Sequence, residues 1–484
     1  MKRFKDGISV DKIRESFKDK KFKYGGYATL MTAIVLAILV VVNLVVDQIS
    51  FKVDLTQNQI FSLSDQTKQI LKNLDQEINI IGLYETGEEN VLFDEILQKY
   101  RAESKYINID YVDPVKNPTF SSKYTKDGET LREGSYIVEC GDRFKVIDNY
   151  DLINYRTTQY GQWYAESLAV EQQITSAIHY VTAEELPTIY LVTGHLEDGL
   201  PYDLRKQLEL ENYEIEELSL LTEEKVPEDA DILMFISPKR DMTEDEAEKV
   251  RQYLENKGRA IFFMELVENE LPNFEAVLKS YGVGLNKALV IEGDNSRYWQ
   301  SPAWIIPKLE THDITRPMRS NNMQVLTIGA QGVDILDVKK RTLEIEPLLT
   351  TSDNSWGKVD LTSTNIQKEE GDISGPFNIA VTVYDKIWNE KTAEYEGAKL
   401  VVVGDAEFLN PQFASIGNAD FVLNTLNWLQ DEHESISIRP KNIVSEYLNI
   451  NSFQILLFSG IVVILIPLII LGSGLVVWLR RRHL

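Results

Sequence analysis

Two stretches of this chain carry no charged residue: 24–46, which is 23 residues long, and 453–479, which is 27. A helix needs about 20 apolar residues to cross the ~30 Å hydrocarbon core of a bilayer, so each stretch is long enough to span one. A buried helix of a globular domain seldom runs that far without a charge. The sequence therefore predicts two transmembrane helices, with everything between them folding on one side of the membrane.

The flanks orient those spans. Residues 1–23 hold nine Lys or Arg against four Asp or Glu, and residues 480–482 are three arginines. Positive flanks stay in the cytoplasm, so both termini are expected there and the middle segment outside. The first apolar stretch is too long for a cleaved signal and has no small-x-small site before Asp47, so a retained anchor is expected.

Between the basic ends, 38 Lys and Arg face 71 Asp and Glu. A surface this acidic repels a phosphate backbone, which excludes nucleic-acid binding. The single cysteine, Cys140, excludes an intrachain disulfide framework. It falls in the strand-like "SYIVECG" with no histidine near it in sequence, which reads as a buried structural thiol.

The outer segment reads as two α/β domains. "FSLSDQTKQILKNL" has good N-cap residues in Ser62 and Ser64 before a periodic helix. "EINIIGLYE", "NVLFDEILQKYRAES" and "INIDYVDP" then run strand, helix, strand, a βαβ unit, and hairpin strands follow in "SYIVECGDRFKVID". This gives a first domain of thioredoxin-like size and order, without a CxxC pair and so without redox chemistry. A linking helix in "AESLAVEQQITSAIHYVTAEEL" leads to apolar strands in "TIYLVT", "DILMFIS", "RAIFFM" and "KLVVVGD". Helices such as "TEDEAEKVRQYLENKG", with Thr243 and Glu246 at capping-box spacing and Gly258 closing it, alternate with them. Near-continuous apolar strands between helices predict a parallel sheet covered on both faces, a doubly wound, flavodoxin-like domain. Residues ~282–395 read as a less regular insertion with hairpins. The expected organisation is a basic tail (1–23), a span (24–46), the first outer domain with its linking helix (47–183), the second with its insertion (184–440), a connector (441–452), a span (453–479) and a basic tail (480–484).

Chemistry is limited by what is missing. No P-loop pattern is present, so ATP hydrolysis must belong to another polypeptide; no G-x-S-x-G elbow is present either. The five histidines, His179, His195, His312, His433 and His483, show no zinc-ligand spacing, and no cofactor is expected. The notable local feature is "YLVTGHLEDG". Gly194, His195 and Glu197 follow the first strand of the second domain, and Gly404, Asp405 and Glu407 follow a later one. If those strands are parallel, both groups lie at the carboxyl edge, where open α/β sheets bind ligands. His195 with Glu197 or Asp405 has the makings of an acid–base pair, but no nucleophile is visible beside it. Turn geometry, ligand binding without chemistry, and catalysis all remain readings of this corner.

Eight blocks in order, "FSLSDQTKQILKNLDQEINI", "VEQQITSAIHYVT", "YLVTGHLE", "DADILMFISPKRDMTEDEAEKVRQYLENKGRAIFFME", "HDITRP", "PLLTTSDNSWG", "VVVGDAEFLN" and "GNADFVLNTLNWL", resemble the gliding-motility-associated ABC transporter auxiliary proteins (GldG-like). The resemblance spans residues ~47–440 and implies a thioredoxin-like domain followed by a class I glutamine amidotransferase-like domain without the catalytic cysteine. It further implies a bacterial membrane protein that partners an ABC permease and a separate ATPase. The expected function is a non-catalytic extracytoplasmic auxiliary subunit of an exporter-type ABC transporter, possessing at most an envelope-ligand site at Gly194, His195, Glu197, Gly404 and Asp405. The rival reading is a cell-envelope glycan-binding module or hydrolase acting at the same sheet edge, with Tyr298, Trp299 and Trp304 available to stack on sugars.

Overall fold

The computed structural model describes residues 20–482 apart from 49–53, 55, 57, 126–130, 159–160, 184, 364, 413–416, 431–437 and 444–451. The N-terminal tail up to Asp19, most of the expected connector and the last two residues lie outside the described part. The chain divides into two compact units, 1–62 and 63–484.

In the first unit, helix α1 (Lys20–Gln48) is 29 residues long and contains the apolar segment Thr29–Val42. A turn follows in which Asp54 gathers the backbone N–H groups of Thr56 and Phe61 at 3.0 and 2.8 Å. In the second unit, one helical segment, Leu456–Arg480, is long and apolar enough to cross a membrane. Among the described residues it alone meets that test of length and composition, where the sequence predicts two. Its run is interrupted by a π-helical turn at Ile461–Leu465, just ahead of Pro467. A proline ring displaces the carbonyl four residues back, and a wider turn accommodates it.

The folded part of the second unit begins with α2 (Asp65–Lys72), capped by Ser64, whose side chain accepts from Thr67 N. Next come β1 (Ile78–Leu83), α3 (Val91–Glu103), β2 (Ile107–Val112), β3 (Tyr136–Cys140) and β4 (Arg143–Ile147). They make a four-stranded sheet ordered β2-β1-β3-β4, in which β1 and β2 are parallel and β3 is antiparallel to β1. The expected βαβ unit and hairpin are thus present. Strands β5 (Ile153–Thr157) and β6 (Trp163–Leu168) form a separate antiparallel hairpin, and helix α4 (Val170–Thr182) starts only after β6. The stretch "AESL" expected at the head of the linking helix is therefore strand.

The rest is built on an eight-stranded sheet. Its members are β7 (Thr188–Thr193), β8 (Glu214–Ser219), β9 (Ile232–Ile236), β10 (Arg259–Phe263), β13 (Leu343–Thr350), β14 (Asn378–Asp385), β15 (Lys399–Val403) and the short strand Lys308–Leu309. The order is Lys308–Leu309, β13, β14, β15, β10, β9, β7, β8. The five strands from β15 to β8 are parallel; the three beyond β15 are antiparallel. Residues in the expected insertion therefore extend the main sheet, making it mixed rather than wholly parallel. The reason is the connection: β14 reaches β15 through a hairpin, Ile387–Asn389 with Glu394–Glu396, and a parallel return needs a longer crossover, usually a helix. The insertion also makes a second antiparallel sheet around β11 (Val283–Ile291) and β12 (Gln331–Ile335).

Helices α5 (Tyr202–Leu210), α6 (Glu244–Glu255), α7 (Pro272–Ser280) and α8 (Asn418–Leu429) cover the main sheet. Alternate residues of each central strand enter separate cores. Ile232, Met234 and Ile236 of β9 join Leu204, Leu208, Phe421 and Leu426 on one side; Leu233 and Phe235 join Val250, Leu254 and Phe274 on the other. Burial of both faces is why these strands read as unbroken apolar runs. Thr243 and Glu246 close the expected capping box of α6, but the left-handed residue after that helix is Lys257 (φ +67°), not Gly258.

Glu171, at the start of α4 and only 4% exposed, fastens the two ends of this folded part together. Its Oε1 accepts from Ser64 N at 2.6 Å and Thr67 Oγ1 at 2.7 Å. Its Oε2 meets Lys441 Nζ at 2.6 Å. Lys441 lies in β16 (Lys441–Asn442), which adds to the β5–β6 hairpin. The lysine and the N–H and O–H donors hold the Glu171 carboxyl below the usual carboxylate range despite its burial.

Candidate functional site

β7 is flanked by β8 on one side and β9 on the other, so the chain reverses its direction of winding at β7. The crevice outside the carboxyl ends of β7 and β9 is where a doubly wound sheet offers a ligand site. The corner Gly194–Asp198 fills that place. Gly194 has φ of +119°, a backbone region that side chains with a Cβ resist. Leu196 follows in the left-handed region at φ +61° and is 67% exposed.

His195 points inward and is 2% exposed. Its Nδ1 lies 2.7 Å from Glu197 Oε1 and its Nε2 3.2 Å from Glu246 Oε1. Burial opposes charge on the ring, but the two carboxylates outweigh it and raise the imidazole pKa above its ordinary value. Glu197 and Glu246 are correspondingly lowered, against their own burial, by His195 and by backbone donors. The second oxygen of Glu197 accepts from His195 N at 2.7 Å, and that of Glu246 accepts from Thr243 N and Oγ1. Each polar atom of the triad is thus committed within the fold, and it fastens the corner to the N-terminus of α6. Phe274 of α7 packs edge-on to the ring at 5.6 Å.

Backbone bonds close the crevice further. His195 O accepts from Lys239 N and Arg240 N, Asp198 N donates to Ile236 O, and the Arg240 guanidinium donates to Gly194 O. Ser237, at the end of β9, has φ of +50° and is fully buried. Its hydroxyl donates to Glu265 Oε2 at 2.6 Å rather than to the imidazole. The one sequence signal for this serine is a Ser-Pro pair directly after an apolar strand. A general base with both nitrogens occupied and a hydroxyl bonded elsewhere do not constitute a nucleophile–base pair.

Gly404 and Asp405 lie apart from His195. Their strand, β15, is third from β7 in the sheet, and at about 4.8 Å per strand that is about 14 Å. Asp405 therefore forms no acid–base pair with His195, while Glu197 contacts it directly. Gly404 is required because a Cβ there would sit 2.2 Å from Gln331 O. Asp405, 1% exposed, accepts from Ile328 N at 2.7 Å, and burial, with Glu407 and Glu265 nearby, pushes its carboxyl pKa up to about 8. Cys140 is buried, near Gln76 Oε1 at 3.3 Å, and burial pushes its thiol pKa up. Trp299 and Trp304 pack on one another at 5.9 Å.

A cavity of about 890 Å³ lies instead at the amino edge, where Arg259 and Lys399 begin β10 and β15. Sequence spacing gave no signal for it, because its walls come from segments as distant as Lys257 and Trp428. Lys399 Nζ sits over Tyr384 and Trp428 at 5.2 and 4.9 Å and donates to Trp428 O. The other lining charges include the pairs Lys257 with Glu396, Lys386 with Glu344, and Arg316 with Asp313. His312 Nδ1 accepts from Ile314 N, leaving Nε2 toward Glu346 at 3.5 Å, and burial lowers its pKa.

Comparison with known proteins bears on two stretches of the chain. Residues 57–142 match a family described as a domain of unknown function. No curated protein matches the chain. Among solved structures, the mmIFT52 N-terminal domain is 17% identical over 50% of this chain and 97% of its own, with a TM-score of 0.38. A cytoplasmic protein from Salmonella typhimurium is 11% identical over 50% and 98%, at 0.28. PurLQS from Thermotoga maritima is 10% identical over 51% and 100%, at 0.23. Residues 186–425 match the family described as an ABC-type uncharacterized transport system, a match that supports the broad family of auxiliary components of such systems.

Proposed function

We propose that this chain is a non-catalytic, membrane-anchored, extracytoplasmic subunit of an exporter-type ABC transporter, of the GldG-like branch of that family. The observation that carries the reading is the match of residues 186–425 to the transport-system family. The committed state of His195, with Glu197 and Glu246 on its two ring nitrogens, supports a structural rather than a catalytic corner. In this reading Gly194, His195 and Glu197 shape a ligand- or partner-contacting edge, and Gly404 and Asp405 hold the neighbouring strand end. The parallel order β8-β7-β9-β10-β15 favours a flavodoxin-like, amidotransferase-like second domain, and β1-α3-β2 with the β3–β4 hairpin favours a thioredoxin-like first one.

The proposed topology is two-pass in a bacterial cell membrane, both termini cytoplasmic. Support comes from the basic flanks, from the exposed apolar side chains of α1 and from the span at Leu456–Arg480. Without a nucleotide-binding motif the chain needs a permease and a separate ATPase. Gly472 and Gly474 have open space around them, which suits close approach of a partner helix. The test is purification of the tagged chain from its native membrane in mild detergent. A permease and an ATPase should accompany it, and Gly472→Leu with Gly474→Leu should weaken that association. Recovery of the chain alone, with transport intact after its deletion, overturns the reading.

A further inference from the structure

The β5–β6 hairpin presents aromatic side chains to solvent on one face. Register pairs Tyr155 with Ala165 and Thr157 with Trp163, so Tyr155 and Trp163 share a face and lie diagonally across the two strands. They are 51% and 72% exposed. On the other face Arg156 pairs with Glu166 at 2.8 Å, and these are the only charges between residues 153 and 168. In an outer segment with such an excess of acid, this hairpin is locally neutral. The same 16 residues hold three tyrosines and a tryptophan, side chains with an apolar body and a polar tip that concentrate where water meets lipid.

Chain direction gives this face its occupant. β16 runs antiparallel to β6, pairing Lys441 with Leu168 and Asn442 with Ser167, and Ile443 N then donates to Glu166 O. The chain therefore leaves the folded part heading toward the hairpin tip, with the Glu171 fastening behind it. Eight residues, 444–451, separate Ile443 from the helical run that contains Leu456–Arg480. Fully extended they reach at most about 28 Å, and Trp163 lies about 10 Å beyond Glu166 along the same strand direction. At Ile443 the chain is thus heading toward the tip, and the helical run that holds the span begins no more than about 28 Å further on.

We infer that the β5–β6 hairpin rests in the bilayer interface, inserting Trp163 and Tyr155 among the lipid headgroups and so fixing the outer segment against the membrane. The inference rests on the membrane-anchored reading above. The test uses the full chain in a Cys140→Ser background, reconstituted alone into phosphatidylcholine–phosphatidylglycerol nanodiscs containing a lipid with a nitroxide near the headgroup. A polarity-sensitive fluorophore is attached in turn through Trp163→Cys, Tyr155→Cys, Tyr202→Cys on exposed α5, and Leu471→Cys in the span. Each hairpin variant retains the other aromatic residue, so loss of one anchor does not remove the surface. The hairpin labels should be quenched by the lipid nitroxide and be several-fold less sensitive to aqueous iodide than the label at 202. Hairpin labels that behave like the one at 202, while the one at 471 is lipid-quenched, overturn the hairpin assignment alone and leave that face to a protein partner. A label at 471 that the lipid nitroxide does not quench overturns the anchored reading and the hairpin assignment with it.

Discussion

Replacing His195 with alanine should destabilise the region built on the eight-stranded sheet strongly and in a pH-dependent way. The side chains of Glu197 and Glu246 are 6% and 5% exposed, so the substitution leaves two buried carboxylates without their shared cation. Breaking a buried ion pair by removing one partner costs about 3–5 kcal/mol. Glu246 keeps its Thr243 donors and Glu197 its backbone donor, which holds the expected loss within that range. For a domain of this size each kcal/mol shifts Tm by about 2–4 °C, so a fall of roughly 6–20 °C is expected. The sign of the pH dependence follows from the shifts. His195 has a raised folded pKa, so its contribution is complete below its ordinary value of about 6.5 and is lost as pH rises through the raised one. Glu197 and Glu246 are lowered, so theirs is complete above about 4.5 and is lost as pH falls through the lowered values. The triad therefore stabilises most between about pH 4.5 and 6.5. Thermal unfolding of the full chain in mild detergent, wild type against His195→Ala, from pH 4 to 9, measures this. An unchanged Tm at pH 6, or a difference that grows from pH 6 to 9, refutes the argument.

Further measurements test neighbouring claims. Gly194→Val should destabilise the same region by about 1–3 kcal/mol, because a β-branched residue is strained at positive φ, and equal stability in a melting scan would show that the corner relaxes freely. Gly404→Ala should also lower Tm, since its Cβ meets a backbone carbonyl rather than a movable side chain. His195→Ala and Glu197→Gln should abolish no hydrolysis of glutamine, amide or glycoside substrates; turnover that disappears with His195→Ala at unchanged Tm would make the protein an enzyme. In a Cys140→Ser background, Asp198→Cys should react with an impermeant maleimide in intact cells and Lys5→Cys should not, and the reverse pattern overturns the topology.

Much of the architecture is local physics that the sequence carries by itself. The βαβ unit from β1 to β2, the Thr243–Glu246 capping box and the doubly buried strands β9 and β10 follow from periodicity and cap chemistry within a dozen residues. So does the glycine before His195, where a strand must turn at once. What the sequence did not carry was pairing between distant segments. The insertion reads as irregular because nothing local announces that β13 and β14 will join the main sheet, a choice made by the hairpin between β14 and β15. The roles at the corner were decided in the same way. His195 and Glu197 are two residues apart and their contact was legible, but Glu246 is 51 positions on, and it takes the second ring nitrogen that a catalyst would need free. Asp405 stood equally plausible in sequence, and strand order alone sets it out of reach. Helices and caps arise from neighbours a few residues apart, whereas the protonation state and freedom of a buried side chain depend on which remote groups the fold packs against it.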